Sequence, residues 1–191
     1  GRNMSTLKVS TISPLGTDAT KTITVGSSGD TFKLTDGITV SGAGAMTPAF
    51  FAYLSSDQSV SANTVTKAAI NTVILDSNSD YDNSTNYRYT PTVAGKYFVF
   101  GQLGLASNSA STYKEGYIQI RKNGSSIIQS VMDMRNGYGF ESFVNASMIV
   151  DMNGTSDYLE IWGLMDDTGG VTRFYVRGQN NHFGAYRIIG A

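Results

Sequence analysis

The sequence contains no cysteine and one histidine, His182. The first absence excludes disulfide frameworks, thiol catalysis and zinc sites built on thiolates. The second excludes a multi-histidine metal centre within one chain, and Ser-His-Asp chemistry would have to run through His182. Glutamate occurs only at Glu115, Glu141 and Glu160. Charged residues make up 15% of the chain, against the usual ~25%. Fourteen basic and fifteen acidic side chains leave a net charge of −1, which gives no general grip on a phosphate backbone, so a nucleic-acid partner is not expected. No run of about 18 apolar residues exists, so no membrane insertion is expected. No basic-then-apolar leader opens the chain. Gly1-Arg2-Asn3 ahead of Met4 reads as the remnant of a cloning tag. With only 3 prolines the chain is neither a collagen-like stalk nor a Pro-rich linker. No phosphate-cradling glycine loop and no Gly-x-Ser-x-Gly elbow occurs.

What is abundant is Ser, Thr, Asn, Gly, Tyr and Phe, with Gly at 21 of 191 residues. That is the composition of an all-β protein with many turns. The length fits one domain with an appendage. Residues 1–45 form the appendage, and residues 46–191 form the domain. The appendage has one aromatic after the tag, Phe32, and short period-two pairs such as Ile23/Val25 and Ile38/Val40. Ile23-Thr24-Val25 recurs as Ile38-Thr39-Val40, each followed by a small-residue turn. Such strands cannot bury a core alone. Either the segment is disordered or identical copies order one another, and the second is the preferred reading.

From Met46 onward alternation predicts about eight to ten strands and no helix. Strands are expected over 49–54, 65–75, 87–90, 95–105, 117–122, 127–132, 145–152, 159–161, 173–176 and 183–189. Ile118 and Ile120 are expected on the core face, with Gln119 and Arg121 opposite. Leu159 and Ile161 are expected inward, with Glu160 outward. Asn123-Gly124 and Asn153-Gly154 both read as hairpin turns, because a type I′ turn needs φ > 0 at its two central residues.

Chemistry is sparse. Asp76, Asn78, Asp80 and Asp82 alternate like the start of a calcium loop, but Tyr81 stands where the sharp-turn glycine belongs and Tyr87 where the bidentate Glu belongs. A solvated polar loop is the preferred reading. Asp166-Asp167 reads as a surface turn, although neighbouring copies could pool these carboxylates around an ion. No cofactor is expected. Arg135-Asn-Gly-Tyr138-Gly-Phe140 places two aromatics and a cation in a glycine-rich loop, so Arg135, Tyr138 and Phe140 are the candidate ligand-stacking residues; plugging a core or a subunit contact is their alternative role. His182 is expected to be a structural or surface residue rather than a catalytic one. Asn-x-Ser/Thr patterns at Asn83, Asn123, Asn145 and Asn153 reflect a chain rich in those residues.

Tyr89-Thr-Pro91-Thr-Val-Ala-Gly95-Lys-Tyr97-Phe-Val-Phe100 resembles the signature of the complement C1q/tumour-necrosis-factor-like domain. Pro48-Ala-Phe-Phe-Ala-Tyr53 resembles its opening strand, Tyr117-Ile-Gln-Ile-Arg-Lys-Asn-Gly124 its Lys-Asn-Gly hairpin, Met152-Asn-Gly-Thr-Ser-Asp-Tyr-Leu-Glu-Ile161 its Gly-Asp-x-Val-x-Leu strand, and Phe183-Gly-Ala-Tyr186 its closing strand. Val99 stands where the family often has an aromatic, and Gly184-Ala185 where Ser-Gly is usual. The N-terminal Met4–Val9 and Ile23-Thr-Val-Gly-Ser-Ser-Gly-Asp30 resemble the opening of marine bacteriophage tail-fibre and virion appendage proteins. The resemblance implies a C1q/TNF-like jelly-roll head in a homotrimer, carried on a three-chain stem. It implies a non-enzymatic fibre head on a virion that recognises a host-surface glycan or protein. A bacterial C1q-like lectin or adhesin at the cell surface is the alternative, and a trimeric glycan depolymerase with carboxylates shared between subunits is the second alternative.

Overall fold

The structure, a computed structural model, describes residues 48–108, 113–135, 139–169 and 171–188. The stem expected over 1–45 lies outside them, as does Tyr138. Thirteen strands and no helix occur among the described residues: β1 (Ala49–Tyr53), β2 (Gln58–Val60), β3 (Thr66–Lys67), β4 (Thr72–Asp76), β5 (Tyr81–Asp82), β6 (Arg88–Tyr89), β7 (Gly95–Ser107), β8 (Tyr113–Lys122), β9 (Ser125–Asp133), β10 (Glu141–Met152), β11 (Leu159–Asp167), β12 (Thr172–Phe174) and β13 (His182–Arg187). Eight of them run five residues or longer. The rest are two or three residues, too short for alternation to register.

Two antiparallel sheets form a sandwich. In the first, β10 pairs with β7 from Gly95 to Ala106. On the other side of β7, β13 pairs with Tyr97–Gln102 and β12 with Leu105–Ser107. Next to β13 comes β1, with β4 at the edge; β2 lies beside β12. The second sheet runs β5-β6-β11-β8-β9, with β3 also paired to β11. Period-two alternation decides the inner faces. Tyr97, Val99, Leu103 and Leu105 of β7 meet Ile118 and Ile120 of β8 and Leu159, Ile161 and Met165 of β11, all fully buried. Each contributes about 1.5–3 kcal/mol on burial.

The motif aromatics close one end of this core. Phe50 stacks on Tyr89 at 4.2 Å and on Tyr81 at 4.8 Å, and Phe183 meets Phe50 edge-on at 4.8 Å. Tyr81 and Tyr97 donate their hydroxyls to the carbonyls of Ile70 and Val93, at 2.8 and 2.7 Å. The buried Tyr89 hydroxyl has no hydrogen-bond partner.

Asn123-Gly124 makes the expected hairpin, with φ of +52° and +81° and Lys122 opposite Ser125. Three expectations need correction. Asn153-Gly154 is not a hairpin: β10 belongs to the first sheet and β11 to the second, so this loop crosses the sandwich. Only Gly154 has positive φ, and the Asn153 side-chain oxygen instead accepts from the N–H groups of Thr155, Ser156 and Asp157. The strand expected over 65–75 splits into β3 and β4, because Ala68 and Ile70 between them turn into the core. Glu160 lies on the outer face as alternation demands, yet it is buried there, because β3 lays Lys67 against it.

Candidate functional site

The run from Gly95 to Leu105 is apolar at nearly every position, so both faces of β7 are apolar. The inner set fills the core. The outer set, Phe98 and Phe100, joins Phe51 of β1 and Tyr186 of β13 on the outside of the first sheet. Phe98 stacks on Phe100 at 6.0 Å, Phe100 on Phe51 at 6.2 Å, and Phe98 packs on Tyr186 at 5.5 Å. His182 packs against Phe51 and Phe100, at 5.5 and 6.0 Å, and its Nδ1 lies 3.0 Å from the Gln179 carbonyl.

Two glycines make this face flat. Gly184 registers opposite Phe100, and a Cβ there would stand 2.5 Å from the ring. Gly104 does the same for Phe143, where a Cβ would stand 2.8 Å from the ring and 2.6 Å from the Tyr175 carbonyl. On this face, Ile149 of β10 registers opposite Phe98 and is 56% exposed. Val131 and Met132 of the neighbouring edge strand β9 are also exposed, as are Ile74 and Leu75 of β4. Polar side chains normally occupy the outer positions of a solvated sheet. The half-buried aromatic row departs from that pattern.

The residues expected to bind ligand sit at one end of the sandwich. Arg135 pairs with Asp133 at 3.1 Å and with Glu115. The two carboxylates push the Arg135 pKa up, Asp133 first. The Arg135 N–H holds the Asp133 carboxyl below its usual range. Phe140 is 54% exposed, and its carbonyl accepts from Ser107 N–H at 3.0 Å. Asp166 registers opposite Glu115, so the structure brings it to the same end as Arg135. Asp167 does not join it at the surface: it is buried, and its Oδ1 accepts from Gly169 N–H at 2.9 Å. Among the described residues no group of three His, Cys, Asp or Glu side chains could hold a metal ion.

The loop with calcium-like spacing is committed to its own backbone. The Asp76 carboxylate accepts from the N–H groups of Asp80 and Tyr81, at 3.1 and 2.9 Å. The Asp82 carboxylate accepts from Ser84, Thr85 and Asn86, and these bonds, Thr85 foremost, hold its pKa well below the carboxylate range. Asp80 accepts from Thr92 N–H and Oγ1.

Sequence reasoning missed a cluster on the outside of the second sheet. Glu160 accepts from Lys67 Nζ at 2.5 Å and from Trp162 Nε1 at 2.9 Å. The Arg121 guanidinium lies 4.4 Å over the Trp162 ring and Lys67 Nζ lies 5.3 Å from it. The only signal was the single tryptophan two places after an acid; Lys67, 93 positions away from Glu160, gives none.

No protein-family model matches the sequence, and no curated protein does. Solved structures do. The globular domain of zebrafish complement 1qA matches with a TM-score of 0.50 at 16% identity, over 74% of this chain and 96% of that one. The Eiger TNF of S. frugiperda matches with a TM-score of 0.51 at 12% identity, over 75% and 93%. At such identities the likeness concerns the fold: residues 48–188 carry the all-β jelly-roll sandwich of the C1q/TNF type.

Proposed function

We propose that this chain is a non-enzymatic binding protein that acts as a homotrimer, with residues 46–191 as the head and residues 1–45 as a β-rich stem. The observation that carries this reading is the aromatic outer face of the first sheet. A three-fold ring needs two different patches on each subunit, because its contacts are head-to-tail. The aromatic face of Phe51, Phe98, Phe100 and Tyr186 supplies one. The exposed apolar edge at Val131 and Met132 of β9 supplies the other. The resemblance of the sequence to C1q/TNF-like domains and to phage appendage openings supports a fibre head displayed outside the cell or on a virion. There, three copies would raise avidity for a surface ligand without new contacts. Arg135 and Phe140 stand at the exposed end of the head where such a ligand would meet it.

Absolute mass by light scattering tests the assembly. The full chain is expected at about three times 20.5 kDa. Phe98→Asp with Phe100→Asp should reduce it to a monomer while the far-UV spectrum stays that of a β protein. A monomeric wild-type chain, or a double variant of unchanged mass, would overturn the reading.

A further inference from the structure

The outside of the second sheet faces away from the aromatic surface and carries a different chemistry. Tyr89 of β6 and Lys122 of β8 register opposite Leu159 on either side of β11. One residue along, Arg88 and Arg121 flank Glu160. Their Cα atoms are two strand spacings apart, roughly 10 Å, and the side chains diverge along β11, Arg88 toward Tyr158 and Arg121 toward Trp162. Among the described residues neither guanidinium has a carboxylate within ion-pair distance. Each lies on an aromatic ring instead, Arg121 over Trp162 at 4.4 Å and Arg88 over Tyr158 at 4.6 Å. Arg121 Nε donates to Gln119 Oε1 at 2.9 Å, and Gln119 Nε2 donates to Gln129 Oε1 at 2.6 Å. Glu160, the acid between the two arginines, is buried and held by Lys67 and Trp162. Two arginines on the neighbouring strands thus flank a carboxylate that Lys67 and Trp162 already hold. The rings hold both guanidinium forks in place, so less freedom is lost when each takes a planar anion.

We propose that this face binds an acidic polysaccharide, with the carboxylates of two uronic acid units received by Arg88 and Arg121. A chain of uronic acid units carries a carboxylate on every ring and so can present one to each fork, and the Gln119–Gln129 amides beside Arg121 offer partners to sugar hydroxyls. An extended peptide would need a free strand edge for its backbone. The strands concerned, β6, β11 and β8, are all paired on both sides. The inference goes beyond the reading above, because it assigns a second surface rather than the Arg135–Phe140 end; it needs only that this face be left outward and does not need the trimer.

Trp162 is the only tryptophan, so its fluorescence reports directly on the site. The full chain is titrated with hexameric polygalacturonate at low and high salt. A saturable change is expected, weakening as salt rises. Arg88→Gln with Arg121→Gln should bind at least about tenfold more weakly at unchanged mass. Arg88→Lys with Arg121→Lys, which keeps the charge and removes the fork, should fall between, and it also serves if the glutamine variant fails to fold. Neutral dextran should give no change. The proposal is overturned by no response to polygalacturonate, by an equal response in the glutamine or lysine variant, by an equal response to dextran, or by polyglutamate binding as tightly as the polyuronate. A monomer that binds polygalacturonate would sink the assembly and leave this site standing; a trimer that does not bind it would do the reverse.

Discussion

Replacing Lys67 with methionine keeps most of the unbranched side chain, removes its charge and strands Glu160. The Glu160 side chain is 5% exposed and that of Lys67 is 28% exposed. Removing one partner of a buried pair costs about 3–5 kcal/mol, because the survivor stays in low dielectric uncompensated. Trp162 Nε1 still donates to Glu160, at 2.9 Å, which places Lys67→Met near the lower end, about 3 kcal/mol. The reverse change, Glu160→Leu, is milder. Lys67 reaches solvent and already donates to the Asn86 carbonyl at 3.0 Å, so about 1–2 kcal/mol is expected. The double variant should lie within about 1 kcal/mol of wild type, since replacing a buried pair by apolar groups is often neutral. The assay is urea denaturation at one fixed protein concentration, followed by far-UV circular dichroism rather than by Trp162, whose surroundings change. A Lys67→Met cost below about 1 kcal/mol, or a double variant as damaged as the two singles summed, would refute the reasoning.

Tyr89→Phe removes a buried hydroxyl without a partner, so it should leave stability unchanged or raise it by about 1 kcal/mol; a clear loss in urea denaturation would contradict this. The Asp157 carboxyl is held below its usual range by hydrogen bonds from Lys122 and then Asn123. A depressed folded pKa stabilises above the unfolded value, near 4, and that gain is lost as pH falls through the folded value. Asp157→Asn should therefore lie furthest below wild type at neutral pH, with the gap closing in acid; a gap independent of pH would count against it. Burial pushes the Tyr97 phenol up to about 12. A raised folded pKa gives stability that is full below the unfolded value, near 10, and lost as pH rises toward 12. Alkaline titration of tyrosinate absorbance should show Tyr97 ionising only as the chain unfolds, and Tyr97→Phe should raise the alkaline midpoint. Gly184→Val would press a branched side chain into the Phe100 ring, roughening the aromatic face and lowering the trimer fraction by light scattering.

Period two was enough to find the long strands and the inner faces of β8, β10 and β11, because one side of each meets polar surroundings. It failed on β7. Tyr97, Phe98, Val99 and Phe100 are all large and apolar, so alternation cannot say which pair faces the core; the registers with β10 and β13 decide it. The two Asn-Gly pairs look alike in sequence and diverge in space. One closes β8 onto β9, whereas the other caps a loop between sheets, and only the placement of β11 distinguishes them. Glu160 misled for a similar reason. Its own strand points it outward, and its burial comes from Lys67, far away in the chain. Arg135 and Phe140 were found as an exposed loop pair; that Glu115 and Asp166 share their end of the sandwich needed the β8–β11 register.

The first and last described strands, β1 and β13, lie side by side in the middle of one sheet, with Ala49 opposite Tyr186 and Tyr53 opposite His182. The chain therefore enters the head and leaves it at one end, and Arg135 and Phe140 stand at the other. If the head is tethered through residue 48 and gripped at that far end, force runs along β1. Its hydrogen bonds to β13 on one side and β4 on the other are then loaded in parallel, in shear, rather than peeled one by one. Forced unfolding is governed by the unfolding rate, not by equilibrium stability. A central terminal strand suits a domain that must hold its grip under tension.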